Sequence, residues 1–237
     1  MKLFKSLKTI IRKIIYIFQL PGRVSKLEYY NFNQRYFAVE QITAYLVGAK
    51  LDGDYLEFGV YRGAIFIHAY QWMAKLFPKM RFLALDSFEG LPDPEGTDDI
   101  DGYSSNYHKN EFACSEEEFL QNLKKENVDL GRIKTIKGWY NKTLTSEKSK
   151  KHGIKHIAAA WIDCDLYEST VPVLKYITPY ITQGTIIVFD DWHAFRNDPG
   201  RGEQRACTEW LKKNPSIKLA PLFTYGYGGA IFTVISC

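Results

Sequence analysis

Within the first 26 residues the longest uncharged run covers only residues 14–22, far short of the roughly 20 apolar residues a membrane-spanning helix needs. No long apolar region leads into a small-residue cleavage site either, so a cleavable signal peptide is not expected. The four cysteines, Cys114, Cys164, Cys207 and Cys237, lie far apart with no C-x-x-C pair. That excludes the usual zinc pattern and a disulfide framework, and makes a reducing cytoplasm the expected location. There is no G-x-G-x-x-G fingerprint and no phosphate-loop lysine, and no repeat or low-complexity tract points to a solenoid or to disorder. Acidic residues are absent from residues 1–26, which carry seven basic ones. The remainder holds 24 basic residues of the total 31 against all 27 acidic ones. A mildly acidic body argues against a nucleic-acid-binding groove spread over the fold.

What is present is core material: 46% of the 237 residues are hydrophobic and 15% aromatic. Nothing in the middle reads as a linker, so residues 33–237 are expected to form one domain, preceded by an extension over residues 1–32. In residues 1–20, Leu3, Leu7, Ile10, Ile11, Ile14, Ile15 and Phe18 fall at helical spacing among Lys2, Lys5, Lys8, Arg12 and Lys13, and Pro21-Gly22 stops the pattern. Two occupants fit such a basic amphipathic stripe: an anionic membrane surface at the inner face, or a partner subunit in a homo-oligomer.

Two apolar runs end in carboxylates. The run IAAAWIDCD at 157–165 and the run GTIIVFDD at 184–191 read as buried parallel strands delivering acids to their carboxyl ends. Alternation places Asp163 and Asp165 on one side and Cys164, to which no function is attached, on the other. If the strands are neighbours, about 4.8 Å apart, Asp163, Asp165, Asp190 and Asp191 converge on one small volume. Four carboxylates cannot all stay ionised there unaided. Either some are protonated by mutual repulsion, or a hard cation such as Mg²⁺, Mn²⁺ or Ca²⁺ sits among them.

Upstream, YLEFGVYRG at 55–63 followed by a helix over 64–77 has the strand, glycine turn and helix of a nucleotide-binding start. Its acid, Glu57, precedes Gly59 and Gly63, which suits a ligand with hydroxyls and a positive charge better than a pyrophosphate. The next strand, 81–86, again ends in an acid, Asp86, where nucleotide-binding α/β folds place a sugar-hydroxyl partner. The stretch up to Cys114 is long enough to be a lid or binding loop, and its acids lack calcium-loop spacing.

The other expected elements are a helix over 33–50, a Ser115 capping box opening a helix to about 127, and a strand over 132–137 leading to Trp139. A surface helix over 143–156 follows, then one capped by Ser169 or Thr170 with Pro172 in its first turn. A loop over 191–201, a helix over 202–213 and strands at 217–223 and 230–235 complete the chain. Strand–helix units followed by a terminal strand pair imply a doubly wound, mostly parallel seven-stranded α/β sheet with an antiparallel C-terminal strand.

Taken together, LEFGVYRG at 56–63, DSFEGLP at 86–92, DCDLYEST at 163–170 and FDDW at 189–192 resemble the signature blocks of the macrocin O-methyltransferase family. These are Rossmann-like, class I, S-adenosylmethionine-dependent enzymes that use Mg²⁺ to methylate sugar hydroxyls. The resemblance covers roughly residues 33–234. It implies that Glu57, Gly59 and Gly63 line the methionine part of S-adenosylmethionine, that Asp86 binds the ribose, and that Ser87 and Phe88 flank the adenosine. It implies further that Asp163, Asp190 and Asp191 hold the metal and that Asp165 is the general base, with His193 as the alternative base. A glycan, glycolipid or glycosylated small molecule is the implied acceptor. The competing readings are a catechol-type O-methyltransferase, a metal-dependent phosphohydrolase, which Glu57 opposes, and a catalytically silent binding protein.

Overall fold

The computed structural model describes residues 23–99, 108–145, 147 and 150–237; the expected amphipathic segment, residues 1–20, lies outside them. Helix α1 spans Arg23–Ala49, ten residues longer at its start than expected, and runs continuously across residue 32. It is followed by strand β1 (Asp54–Phe58), helix α2 (Ala64–Met73), strand β2 (Phe82–Asp86), helix α3 (Glu116–Lys125) and strand β3 (Ile133–Lys137). Strand β4 (Ile157–Ile162), helix α4 (Tyr167–Ile177), strand β5 (Ile186–Phe189), helix α5 (Gly202–Lys213), strand β6 (Lys218–Tyr225) and strand β7 (Gly229–Ser236) complete the order. No helix among the described residues is long and apolar enough to cross a membrane.

The strands form one sheet in the order β3-β2-β1-β4-β5-β7-β6, with β7 antiparallel to both of its neighbours and the first five parallel. Alternation along the buried strands sorts two cores. Tyr55, Ala159 and Trp161 face Val39, Ile42, Phe66 and Phe119 of α1, α2 and α3, whereas Leu56, Phe58, Ala160 and Ile162 face Leu174, Ile177, Ala206 and Trp210 of α4 and α5. The sheet is thus covered on both faces, as its near-continuous apolar strands require.

Three expectations need correction. Ser169 and Thr170 cap nothing: α4 already begins at Tyr167 after Leu166, and both backbone amides donate to the Leu166 carbonyl within its first turn. Pro172 therefore sits in the helix interior. Among the described residues of 143–156, Thr143, Glu147 and Lys150–His152 lie in helical or 3-10 turns, but Leu144 and Thr145 and residues 153–156 do not, so the continuous helix expected over this stretch is interrupted. The loop after β5 contains a tight turn in which Phe195, Arg196 and Asn197 are all left-handed, a conformation costing on the order of 1 kcal/mol per non-glycine residue.

Arg132 ties the start of β3 to the end of α2. Its guanidinium donates to the carbonyls of Ala74, Phe77 and Met80 in the turn that follows α2. Arg132→Met is expected to lower stability by about 2 kcal/mol in urea unfolding, because those carbonyls are left without a charged donor. It should leave ligand binding intact, since Arg132 lies at the opposite end of the sheet from the candidate site.

Candidate functional site

The strand order reverses between β1 and β4, and an open parallel sheet binds ligands in the crevice at such a point. Register makes the crevice level. Phe58 pairs with Leu85 and Ile162, and Ile162 with Phe189, so four strands stop together. One further bond extends each rung: Gly59 N to Leu85 O, Asp163 N to Phe58 O and Asp190 N to Ile162 O, each at 2.9 Å. The acids therefore leave the sheet at one height.

Above them lies a cavity of about 930 Å³, near the top of the roughly 300–1,000 Å³ range for small-ligand pockets and roomy for two reactants. Glu57, Gly59, Asp86, Ser87, Asp163 and Asp165 line it. Gly63 and Phe88 do not. Gly63 ends the loop before α2, where an added Cβ would meet Phe119 at 2.9 Å, and Phe88 is buried with its ring against Phe119. Both shape the wall from behind.

Glu57 is 2% exposed and accepts a hydrogen bond from the Tyr55 hydroxyl at 2.6 Å through Oε2. Burial outweighs that hydrogen bond and pushes its carboxyl up to about 8. The folded state thus holds a proton that the unfolded chain loses near the ordinary value of 4.5. The stability this contributes is complete below the unfolded value and is lost as pH rises through the folded one. Glu57→Gln is therefore expected to melt several degrees above the wild type at pH 8, with the gap closing toward pH 5, in ligand-free thermal unfolding.

Asp86 is held by the loop it faces. Oδ2 accepts from Val60 N at 2.8 Å and Tyr61 N at 3.3 Å, and Oδ1 accepts from Phe88 N at 2.7 Å. Burial raises its pKa against these bonds. Ser87 Oγ donates to the Gly90 carbonyl at 3.0 Å and accepts from Glu89 N, turning the chain after β2.

At the tip of β4 the acids group differently from expectation. One oxygen each from Asp163, Asp165 and Asp191 lies within 4.8 Å of the others. The strand stops at Ile162, so strand alternation alone does not aim Asp165; its left-handed backbone, φ +59°, turns it back toward Asp163. Asp190 is 3% exposed and is occupied elsewhere. Arg35 of α1 donates from Nε to Oδ1 at 3.0 Å and from Nη2 to Oδ2, and the Tyr225 hydroxyl donates to Oδ1 at 2.6 Å.

Burial, then the neighbouring charges, governs proton affinity here. Burial followed by Asp163 and Asp190 pushes Asp165 up to about 8. Burial followed by Asp190 carries Asp163 far above the carboxylate range, and burial followed by Asp165 does the same to Asp191. Asp191 Oδ2 is buried without a hydrogen-bond partner. An orphaned acceptor among three close carboxylates fits a hard divalent cation with oxygen ligands.

Arg35, Tyr225 and Glu203 were not anticipated. Glu203, 1% exposed in the first turn of α5, accepts from Asp191 N at 3.0 Å and so fixes that loop. Arg35 had a signal: it is in register with Ala38, Val39, Ile42 and Leu46, the buried stripe of α1. A charge on such a stripe calls for a partner. The expected alternative base, His193, bonds through Nδ1 to Asn197 at 2.8 Å and does not line the cavity. Trp192 packs on Phe189 and Phe232, leaving Trp139 at the cavity wall.

The sequence profile described as Macrocin-O-methyltransferase (TylF) matches residues 32–210. The chain is 28% identical over 161 residues to demethyldecarbamoylnovobiocin O-methyltransferase of Streptomyces niveus, covering 65% of this chain and 58% of that protein. It is 27% identical over 144 residues to the 8-demethyl-8-(2,3-dimethoxy-alpha-L-rhamnosyl)-tetracenomycin-C 4'-O-methyltransferase of Streptomyces olivaceus, covering 59% and 53%. It thus spans less than two thirds of the length of these curated relatives. Among solved structures, the O-methyltransferase NovP superposes with a TM-score of 0.68 at 24% identity, covering 85% of this chain and 80% of that one. Calicheamicin methyltransferase CalS11 gives 0.66 at 21%, covering 92% and 82%. An O-methyltransferase from Bacillus cereus in complex with SAH gives 0.56 at 14%, covering 96% and 97%. These superpositions establish the fold.

Proposed function

The chain belongs to the macrocin O-methyltransferase family, and on that premise we propose that it transfers a methyl group from S-adenosylmethionine to a sugar hydroxyl of a glycosylated small molecule, glycan or glycolipid, with a divalent cation such as Mg²⁺ bound. The observation that carries this reading is the close grouping of Asp163, Asp165 and Asp191, the first two of which line the same cavity as Glu57, Gly59, Asp86 and Ser87.

In this reading Glu57 faces the donor's ammonium group, since only its Oε2 has a hydrogen bond among the described residues. Gly59 lets the backbone approach the donor, Asp86 and Ser87 serve its ribose end, and Gly63 and Phe88 support that wall. Asp163, Asp190 and Asp191 would hold the cation, with Asp165 close beside Asp163 and Asp191. When bound, the donor supplies an electrophilic methyl group, and the cation makes the acceptor hydroxyl more acidic. Asp165 would take the hydroxyl proton on a carboxylate oxygen. The cavity walls hold the acceptor oxygen in line with the transferred methyl, a positioning effect worth several kcal/mol in general.

Both curated relatives are named for O-methylation, and the tetracenomycin enzyme's substrate is rhamnosylated, which favours a glycoside over a catechol as acceptor. The basic residues 1–20 support a peripheral position at the inner face of the membrane or contact with a second copy of the chain in the cytoplasm. The test is incubation with methyl-labelled donor, Mg²⁺ and a panel of rhamnosides and other glycosides beside catechols, with and without chelator. Label on a glycoside that chelator removes is the expected result. Label on catechols alone would replace the sugar reading, and label on neither would reopen the substrate class.

A further inference from the structure

On the glycoside reading proposed above, which it deepens, we infer that Phe32 of α1 and Tyr227, at the tip of the hairpin between β6 and β7, form an outer acceptor subsite and take a flat, apolar aglycone carried by the sugar. The order of the strands gives the cavity two ends. Glu57 and Asp86, assigned to the donor, belong to β1 and β2, and Asp163 and Asp165 follow β4. With the donor over β1 and β2, an acceptor whose hydroxyl reaches those acids extends toward β5, β7 and β6 on the far side of β4.

Two segments build that end, and the sequence Tyr-Gly-Tyr-Gly-Gly at 225–229 explains how closely they meet. A Cβ on Gly228 would stand 2.9 Å from the Asp190 carbonyl oxygen, and one on Gly226 would meet Asn31 Oδ1 at 3.4 Å. His193 N donates to the Gly228 carbonyl at 2.9 Å. Glycines thus let the hairpin lie against both the backbone after β5 and the start of α1. A crevice of about 30 Å³ between them is lined by Asn31, Asp191, Tyr227 and Gly228, and by Arg35, which lines the main cavity as well. Crevice and cavity therefore adjoin at Arg35.

The aromatic residues at this end divide by role. Tyr225 is buried against Trp161, and Trp192 packs on Phe189 and Phe232. By contrast Phe32, which lines the cavity, is 44% exposed, and Tyr227 is 70% exposed. A single exposed ring is ordinary. Two at one end of a ligand cavity supply the aromatic wall that small-molecule sites use, and a ring system attached to the sugar gains most from stacking on it. The described lining of the crevice contains no lysine, so it makes no provision for the diphosphate of a nucleotide sugar.

The test compares the 4-nitrophenyl and the methyl glycoside of each sugar in the panel above, by steady-state transfer of labelled methyl with Mg²⁺ present. The wild type should favour the 4-nitrophenyl glycoside by about tenfold in kcat/KM, through KM and with kcat little changed. In Phe32→Ala and in Tyr227→Ala that preference should fall below about threefold, while Phe32→Tyr and Tyr227→Phe, which keep a ring, retain it. Phe37→Ala removes another exposed ring of α1, one that does not line the cavity, and should leave the preference unchanged. S-adenosylhomocysteine binding by calorimetry should match the wild type in every variant. Methylated glycosides with no aryl preference, a preference that survives both alanine variants, or one that Phe37→Ala also removes, overturns the inference and leaves the sugar reading standing. Label on no glycoside overturns both. Should Phe32→Ala lose S-adenosylhomocysteine, Tyr227→Ala decides, because its exposed ring belongs to neither core: a reduced preference there supports the subsite, and an undiminished one overturns it.

Discussion

Gly59→Ala is expected to destabilise the chain by about 3–5 kcal/mol and to abolish S-adenosylhomocysteine binding. The residue has φ +87°, where an L side chain is strained, and a Cβ built there lies 1.8 Å from the carbonyl oxygen of Asp163. That oxygen belongs to the backbone at the tip of β4, so no rotamer change relieves the clash. The loop after β1 and the carboxylate loop after β4 would have to part, opening the floor of the cavity. Gly96→Ala separates strain from clash. Its φ is +60°, but nothing among the described residues lies within 4 Å of the added Cβ, so it should cost only about 1 kcal/mol and leave binding alone. Urea unfolding and calorimetry on the two variants check both statements. Equal stability losses would mean that the loops separate freely and that the close approach at Gly59 does not shape the site.

Asp165→Asn is expected to cut turnover by about 10²–10⁴-fold, the usual contribution of a positioned base, while S-adenosylhomocysteine binding persists. The substitution is a clean probe because residue 165 is left-handed, φ +59°, and asparagine adopts that conformation as readily as aspartate. The amide keeps the shape but neither takes a proton nor offers an anionic oxygen, so Mn²⁺ affinity should fall with it. Of the two acids of the cluster that line the cavity, Asp163 and Asp165, Asp165 is the one whose proton affinity is pushed up to about 8, and Asp163 is carried further. Single-turnover methyl transfer with an accepted glycoside is the measurement, and unaltered turnover removes Asp165 as the base.

Much of this site was legible in the sequence because its pieces obey local rules. Apolar runs of four to six residues that end in or lead directly into acids read as buried parallel strands, and alternating strands and helices dictate a doubly wound sheet. Helix α5 matches its expected span of 202–213 and β3 begins one residue later than expected, because breakers such as Pro199-Gly200 and the apolar periodicity are encoded within a few residues. Helix α1 was read as too short since its first turns, with Leu27, Tyr29, Tyr30 and Phe32 exposed, carry no buried stripe to reveal them. The start of α4 was displaced because no side-chain cap marks it.

The sequence by itself therefore determined that acids leave neighbouring strand tips, that a glycine turn and a second acid lie beside them, and which family blocks these make. Which carboxylates crowd together, and which is claimed by an arginine 155 residues away in the chain, was decided only on folding. Strand pattern specifies where a side chain leaves the sheet, but not which distant helix delivers a counter-charge to it. That depends on the packing of α1 across β5 and β6, and on one left-handed residue, Asp165, whose turn no periodicity announces.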